Sequence, residues 1–188
     1  MSTNIIEIIQ SDLDYPALRK IDPNIQEPKN KNEQSRVEKI AQGAIPAVMA
    51  GLYSLSRKDD GSARISIMQT NPNAGLLEQI FDGGAEEAVK KVAQYAEANE
   101  SDVKDHMEII SAEAIRVIRK EAGENADALK VKHFLNDQRH NILSYLPAAM
   151  NFGGLLHDET MDDRTNKMEG PISNFIHKIE DKFSGSGG

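Results

Sequence analysis

The sequence predicts an all-α fold: a multi-helix bundle carrying a tethered C-terminal amphipathic helix. Three observations carry that prediction. Apolar residues recur three and four apart along most of the chain, and no stretch sustains a period of two. Aromatic residues make up only 5% and Trp is absent, so the core must come from Ile, Leu, Val, Met and Ala, which suit helix packing. Third, a polar, acidic stretch separates the last apolar repeat from everything before it.

The elements follow in order. Ser2 or Thr3 can cap a short helix bearing Ile5, Ile6, Ile8 and Ile9. Tyr15 to Ile21 reads as a second short segment, with Pro16 at a first-turn position. Asp22 to Asn32 is a polar loop containing Pro23 and Pro28, so residues 1–32 form an N-terminal region of short helices and loop. Residues 33–156 form the helical bundle domain. Its first helix aligns Val37, Ile40, Ala41 and Ala44, and should end there, because Pro46 removes an N–H and pushes Ile45 away from helical geometry. A new helix is expected from Pro46 to about Arg57, with a turn at Lys58–Gly61 and a short helix from Ser62 to Gln69. Asn71, Pro72 and Asn73 break the chain. Leu76, Leu77, Ile80 and Phe81 then mark an apolar face ended by Gly83 and Gly84. Ala85 to Ala98 is helical. Ser101 is the expected N-cap of a helix running to about Ala122, with Gly123 as its C-cap. Ala126 to Leu146 continues as one or two helices.

The tail reads differently. Residues 157–170 are a polar acidic linker, 171–183 an amphipathic helix opened by Pro171, and 184–188 a flexible Ser/Gly end. Ile172, Phe175, Ile176, Ile179 and Phe183 share one face, while Lys178, Glu180, Asp181 and Lys182 fill the other.

The chain of 188 residues carries a formal net charge of −8, from 30 acidic and 22 basic side chains. That balance argues against nucleic acid and against an anionic membrane surface, both of which favour basic proteins. No window holds the roughly 18 apolar residues that a membrane span needs. No basic segment precedes an apolar run near Met1, so a cytoplasmic location is expected, with export by a dedicated machine left open. The absence of Cys removes disulfides and thiolate metal sites.

Ile45-Pro46-Ala47-Val48-Met49-Ala50-Gly51-Leu52 is echoed by Leu146-Pro147-Ala148-Ala149-Met150, followed by Gly153-Gly154-Leu155-Leu156. A duplication would make the fold two pseudo-repeated helical halves; chance reuse of a Pro-started helix explains the echo equally well. With the run Ile45 to Leu52, the polar turn after it, the small-residue helix Gly61-Ser62-Ala63-Arg64-Ile65 and the Gly153–Leu156 segment, the chain, over roughly 37–157, resembles the YidB-like bacterial domains of unknown function. The resemblance implies a helical fold and transfers no activity and no site. The long charged helix of Ser101 to Ala122 and the terminal helix depart from the family pattern.

Candidate chemistry is sparse. His133, Asp137 and His140 share a helix face, as a metal-binding face requires, and with a further carboxylate would suit a metal-dependent hydrolase. Lys130, Lys132, Asn136, Gln138 and Arg139 surround them, which favours a solvated face. Glu108, Glu113, Glu121 and Glu124 alternate with Lys104, Arg116, Arg119 and Lys120, the pattern of an ion-paired surface rather than a catalytic carboxylate pair. Met49, Met107 and Met150 sit on apolar faces and read as core filling. No catalytic residue and no cofactor is predicted. The terminal helix is the candidate protein-binding element, through Ile172, Phe175, Ile176, Ile179 and Phe183. The expected function is a non-enzymatic interaction or assembly module, a component or cargo of a larger bacterial protein machine, with this helix docking on the same chain, another copy or a protein partner.

Overall fold

A helix that is apolar on every face must lie inside a protein, because no side of it tolerates water. Residues 40–53 form such a stretch, and every one of them is buried. They lie in α2 (Arg36–Ser56), the axis around which the rest of the chain packs. In this computed structural model the structure describes residues 3–21, 35–71, 74–123 and 127–156. Among them are α1 (Ile5–Asp12), α3 (Gly61–Ile67), α4 (Leu76–Phe81), α5 (Ala85–Ala96), α6 (Glu100–Ala122), α7 (Ala128–Tyr145), a 3-10 turn (Ala148–Met150) and α8 (Phe152–Leu155). No strand occurs among the described residues, and no helix there is long and apolar enough to cross a membrane. Helices α1 and α3–α7 all contact α2. Ile5, Ile6 and Ile9 of α1 join the same core as Ile45, Leu52 and Ile118.

Pro46 does not start a helix; it lies inside α2, which runs unbroken through it. An interior proline costs about 3 kcal/mol. Full burial of a large aliphatic side chain stabilises by roughly 1.5–3 kcal/mol, so Ile45 and Leu52, both 0% exposed, together offset the proline. The start of α2 is set by a capping box: Ser35 Oγ accepts from Glu38 N at 3.2 Å and Glu38 Oε2 accepts from Ser35 N at 2.5 Å. Pro147 precedes only the 3-10 turn and α8, so the two echoed segments do not occupy equivalent elements.

Three further expectations change. Tyr15 to Ile21 is irregular rather than helical. Gln42 accepts from Arg19 N at 2.8 Å and donates to the Arg19 carbonyl at 3.1 Å, and Ile21 N donates to the Ser144 carbonyl at 2.8 Å. These long-range partners occupy the backbone groups that a helix would have used. Asn4, not Ser2 or Thr3, caps α1, accepting from Ile6 N. Asn99, not Ser101, caps α6, accepting from Ser101 N at 2.8 Å and leaving Ser101 in the first turn. Gly123 does end α6, at φ +95°, and α7 is a single helix capped by Asp127.

Close approach fixes two glycines. A Cβ on Gly51 would stand 2.7 Å from Phe81 Cε1, so α4 packs directly on the α2 backbone. A Cβ on Gly61 would stand 1.7 Å from the Leu55 carbonyl oxygen, so only glycine allows the tight entry into α3. At the other end of α3, the Arg119 guanidinium donates to the carbonyls of Ile65 and Met68, groups that the helix leaves without partners.

Candidate functional site

The five predicted protein-binding residues, Ile172, Phe175, Ile176, Ile179 and Phe183, lie outside the described residues, as do the linker and the tail. His133, Asp137 and His140 all stand exposed on α7, whose other face buries Val131, Leu135, Gln138 and Ile142. Among the described residues no group of three or more His, Asp or Glu side chains is placed to hold a metal ion. Met49, Met107 and Met150 are buried in the core.

The carboxylates of α6 have structural partners. Glu108 Oε2 accepts from Leu76 N at 3.2 Å and so satisfies an orphan donor at the start of α4. Glu113 pairs with Arg116, which also reaches Asp12 at 2.8 Å and ties α6 to α1. Glu121 is exposed, and Glu124 lies outside the described residues.

One concavity among the described residues is a groove of about 940 Å³ between α4, α5 and α6. Its floor is apolar: Leu77, Ala85 and Val89 line it and are themselves buried. Its rim carries both signs of charge, with Glu86 and Lys90 from α5 facing Glu100 and Lys104 from α6. Glu87 and Lys91 form an ion pair at 3.7 Å along the α5 side. The heptad-like spacing of Ala85, Ala88, Val89, Val92 and Ala96 presses α5 onto α2, which leaves its charged residues along the rim.

Two devices hold the α4 end of this groove. Asp82 adopts φ 51° at the end of α4 and pairs with Lys58 at 2.7 Å and Arg64 at 3.7 Å. The hydrogen bond from Lys58, then the charges of Lys58 and Arg64, hold its carboxyl below the usual range. Next to it, Leu155 of α8 comes within 3.2 Å of where a Gly84 Cβ would stand, and Ser54 Oγ donates to the Leu156 carbonyl at 3.3 Å. The described chain therefore leaves the bundle beside Gly84, one residue from the groove wall.

A second local arrangement joins Tyr15 to His106: Tyr15 Oη lies 2.5 Å from His106 Nδ1. Burial pushes the Tyr15 hydroxyl pKa up. This contact fastens the irregular segment to α6. Neither it nor the groove is visible in the sequence, because both depend on residues brought together from distant positions. Chemically, the groove offers amines and carboxylates above an apolar floor, a lining suited to an amphipathic segment.

No protein-family model matches the chain, and no curated protein or solved structure matches it either.

Proposed function

We propose that this protein is a non-enzymatic helical interaction or assembly module, a component or cargo of a larger bacterial protein machine, and that its C-terminal segment 171–183 is the docking element. The observation that carries this reading is the closure of the bundle on itself. The axial helix is enclosed along residues 40–53, and among the described residues the buried aliphatic side chains of α1–α8 join one core. The apolar face that the sequence gives Ile172, Phe175, Ile176, Ile179 and Phe183 is of a kind suited to docking on a surface. A helix of about 13 residues is marginal alone in water, so such a face needs a partner surface to order it. The resemblance to YidB-like domains remains compatible with this reading. Its residues fall in α2, α3 and α8. For the metal-dependent alternative, the exposure of His133, Asp137 and His140 supplies no support.

The test compares the full chain with one lacking residues 172–183. Affinity capture from the native host and sedimentation both read association, and thermal unfolding reads the bundle. Loss of partner or self-association with unchanged unfolding is expected. A shortened chain that keeps its partner and its oligomeric state refutes the proposal.

A further inference from the structure

We propose that Asp82-Gly83, the left-handed corner between α4 and α5, is a site of spontaneous aspartate isomerisation, and that the ion pairs from Lys58 and Arg64 slow the reaction there. The proposal stands apart from the docking reading and does not depend on it.

The sequence contains two Asp-Gly pairs, Asp60-Gly61 and Asp82-Gly83, and no Asn-Gly. Glycine after aspartate favours this rearrangement, because no Cβ hinders the approach of its amide nitrogen to the aspartate side chain. The fold treats the two pairs differently. Gly61 is buried, and its N–H donates to the Lys58 carbonyl at 3.1 Å. The Asp60 carbonyl accepts from Arg64 N at 2.9 Å, so α3 locks that pair. Asp82 and Gly83 are both exposed. Among the described residues no acceptor takes the Gly83 N–H, and nothing lies within 4 Å of its Cβ position. One backbone bond spans the corner, from Gly84 N to the Phe81 carbonyl at 3.0 Å. Asp82 stands at φ 51°, a conformation disfavoured for a residue with a Cβ, so rotation out of it releases strain.

In the reaction the Gly83 amide nitrogen attacks Asp82 Cγ. The N–Cγ bond forms, the nitrogen gives up its proton, and the carboxyl hydroxyl departs with it as water. A five-membered cyclic imide results. Water then adds to the imide carbonyl that was the Asp82 backbone carbonyl and cleaves its bond to the Gly83 nitrogen. One water leaves and one enters, so the mass is unchanged and no redox partner is needed. The chain now runs through Asp82 Cγ, one methylene longer, with the free carboxylate on Cα. The departing group is the hydroxyl of the protonated acid, since an ionised carboxylate offers no comparable leaving group. Lys58 Nζ at 2.7 Å and Arg64 at 3.7 Å favour the ionised form and fix where it points. The lowered carboxyl pKa agrees with that geometry. The two ion pairs thus withhold the reactive acid at the one Asp-Gly pair whose backbone is open.

The test ages the full, folded chain in heavy-oxygen water at mildly acidic pH, and then maps isoaspartate by peptide mass spectrometry with electron-transfer fragmentation. Isoaspartate carrying a heavy oxygen, the mark of passage through the imide, should accumulate at position 82 and stay near background at position 60. Lys58→Gln keeps the backbone carbonyl that holds Gly61 and removes the main ion pair of Asp82. It should raise the rate at 82 by roughly 1.5–5-fold, the range expected of an exposed pair. Asp82→Glu should abolish the reaction, because the ring would need an extra member. Circular dichroism checks that Lys58→Gln is folded. If it is not, the unchanged chain in molar salt, which screens the pair, takes its place and should also age faster. More isoaspartate at 60 than at 82, or none with heavy oxygen at 82, overturns the assignment of the site. A rate at 82 that Lys58→Gln, or salt in its place, does not raise overturns the protective role of the ion pairs.

Discussion

Replacing Gln138 by Met tests whether a buried amide on α7 holds the start of α1. Gln138 is 2% exposed. Its Oε1 accepts from Ile5 N at 3.1 Å and from Asn141 Nδ2 at 2.9 Å, and its Nε2 donates to the Thr3 carbonyl at 2.9 Å. Met has nearly the same length and no amide. Ile5 is 0% exposed, and leaving a buried donor without its partner costs about 1–3 kcal/mol. The bond to Thr3, which is part-buried, is worth about 0.5–1.5 kcal/mol. Burying a thioether in place of an amide returns about 1 kcal/mol. The expected net loss is about 1–3 kcal/mol, or roughly 2–12 °C in Tm for a chain of this size. Urea unfolding followed by circular dichroism measures it, and amide exchange should quicken first in α1. Asn141→Ala serves as the control: it leaves both backbone contacts of Gln138 in place and should cost less than about 1 kcal/mol. If Gln138→Met unfolds within about 0.5 kcal/mol of the parent, or costs no more than Asn141→Ala, the amide is not what secures α1.

Three other outcomes follow from the geometry. At Gly61 a Cβ meets a backbone oxygen, whereas at Gly51 it meets the Phe81 and Ile80 side chains, which can shift. Gly51→Ala should therefore cost about 1–3 kcal/mol from overpacking, partly offset by helix propensity, and Gly61→Ala clearly more; the reverse order in urea midpoints would contradict the packing. Phe152 is 1% exposed and its ring lies 6.3 Å from that of Phe81, so Phe152→Ala should lose about 3–5 kcal/mol in the same assay, and a loss below about 1 kcal/mol would show that α8 is not anchored there. For Tyr145, burial first, and then its hydrogen bond to Glu7, raise the hydroxyl pKa, so the phenol is favoured neutral in the fold. Its contribution is complete below the unfolded value near pH 10 and is lost as the pH rises through the higher folded value. Tyr145→Phe should flatten that alkaline loss, and an unchanged alkaline slope would remove the assignment.

What the sequence revealed, and what it hid, divides by the range of the interactions involved. Helices α5, α6 and α7 were legible because their apolar residues recur at helical period over ten residues or more. Ser35 and Glu38 spelled out a capping box that fixes the start of α2, a local signal that hydrophobic periodicity alone overlooks. Asn99 and Ser101 are both good cap residues, and nothing local separates them. The irregular run from Tyr15 to Ile21 was hidden because its partners, His106, Gln42 and Ser144, come from α6, α2 and α7. The groove was hidden for the same reason. Its residues carried the ordinary signature of surface helices, and only the pairing of α5 with α6 across the end of α4 turns them into a concavity.

Pro46 is where local and global preferences conflict most directly, and the way that conflict resolves ties the fold to the proposed function. A proline ends a helix when the helix has little else to hold it. α2 continues because Ile45, Ala47, Val48 and Met49 on either side of Pro46 are fully enclosed, and because Gly51 lets α4 approach its backbone. A helix enclosed on every side cannot present residues to a partner. The hydrophobic content that makes this chain fold is therefore committed to α2 and its contacts. On the proposed function, binding then falls to residues outside α2. Substitutions within α2 should act on stability, and exposed substitutions outside it should leave stability nearly unchanged. A rim substitution such as Lys104→Glu that shifted unfolding as far as a core substitution would break this division.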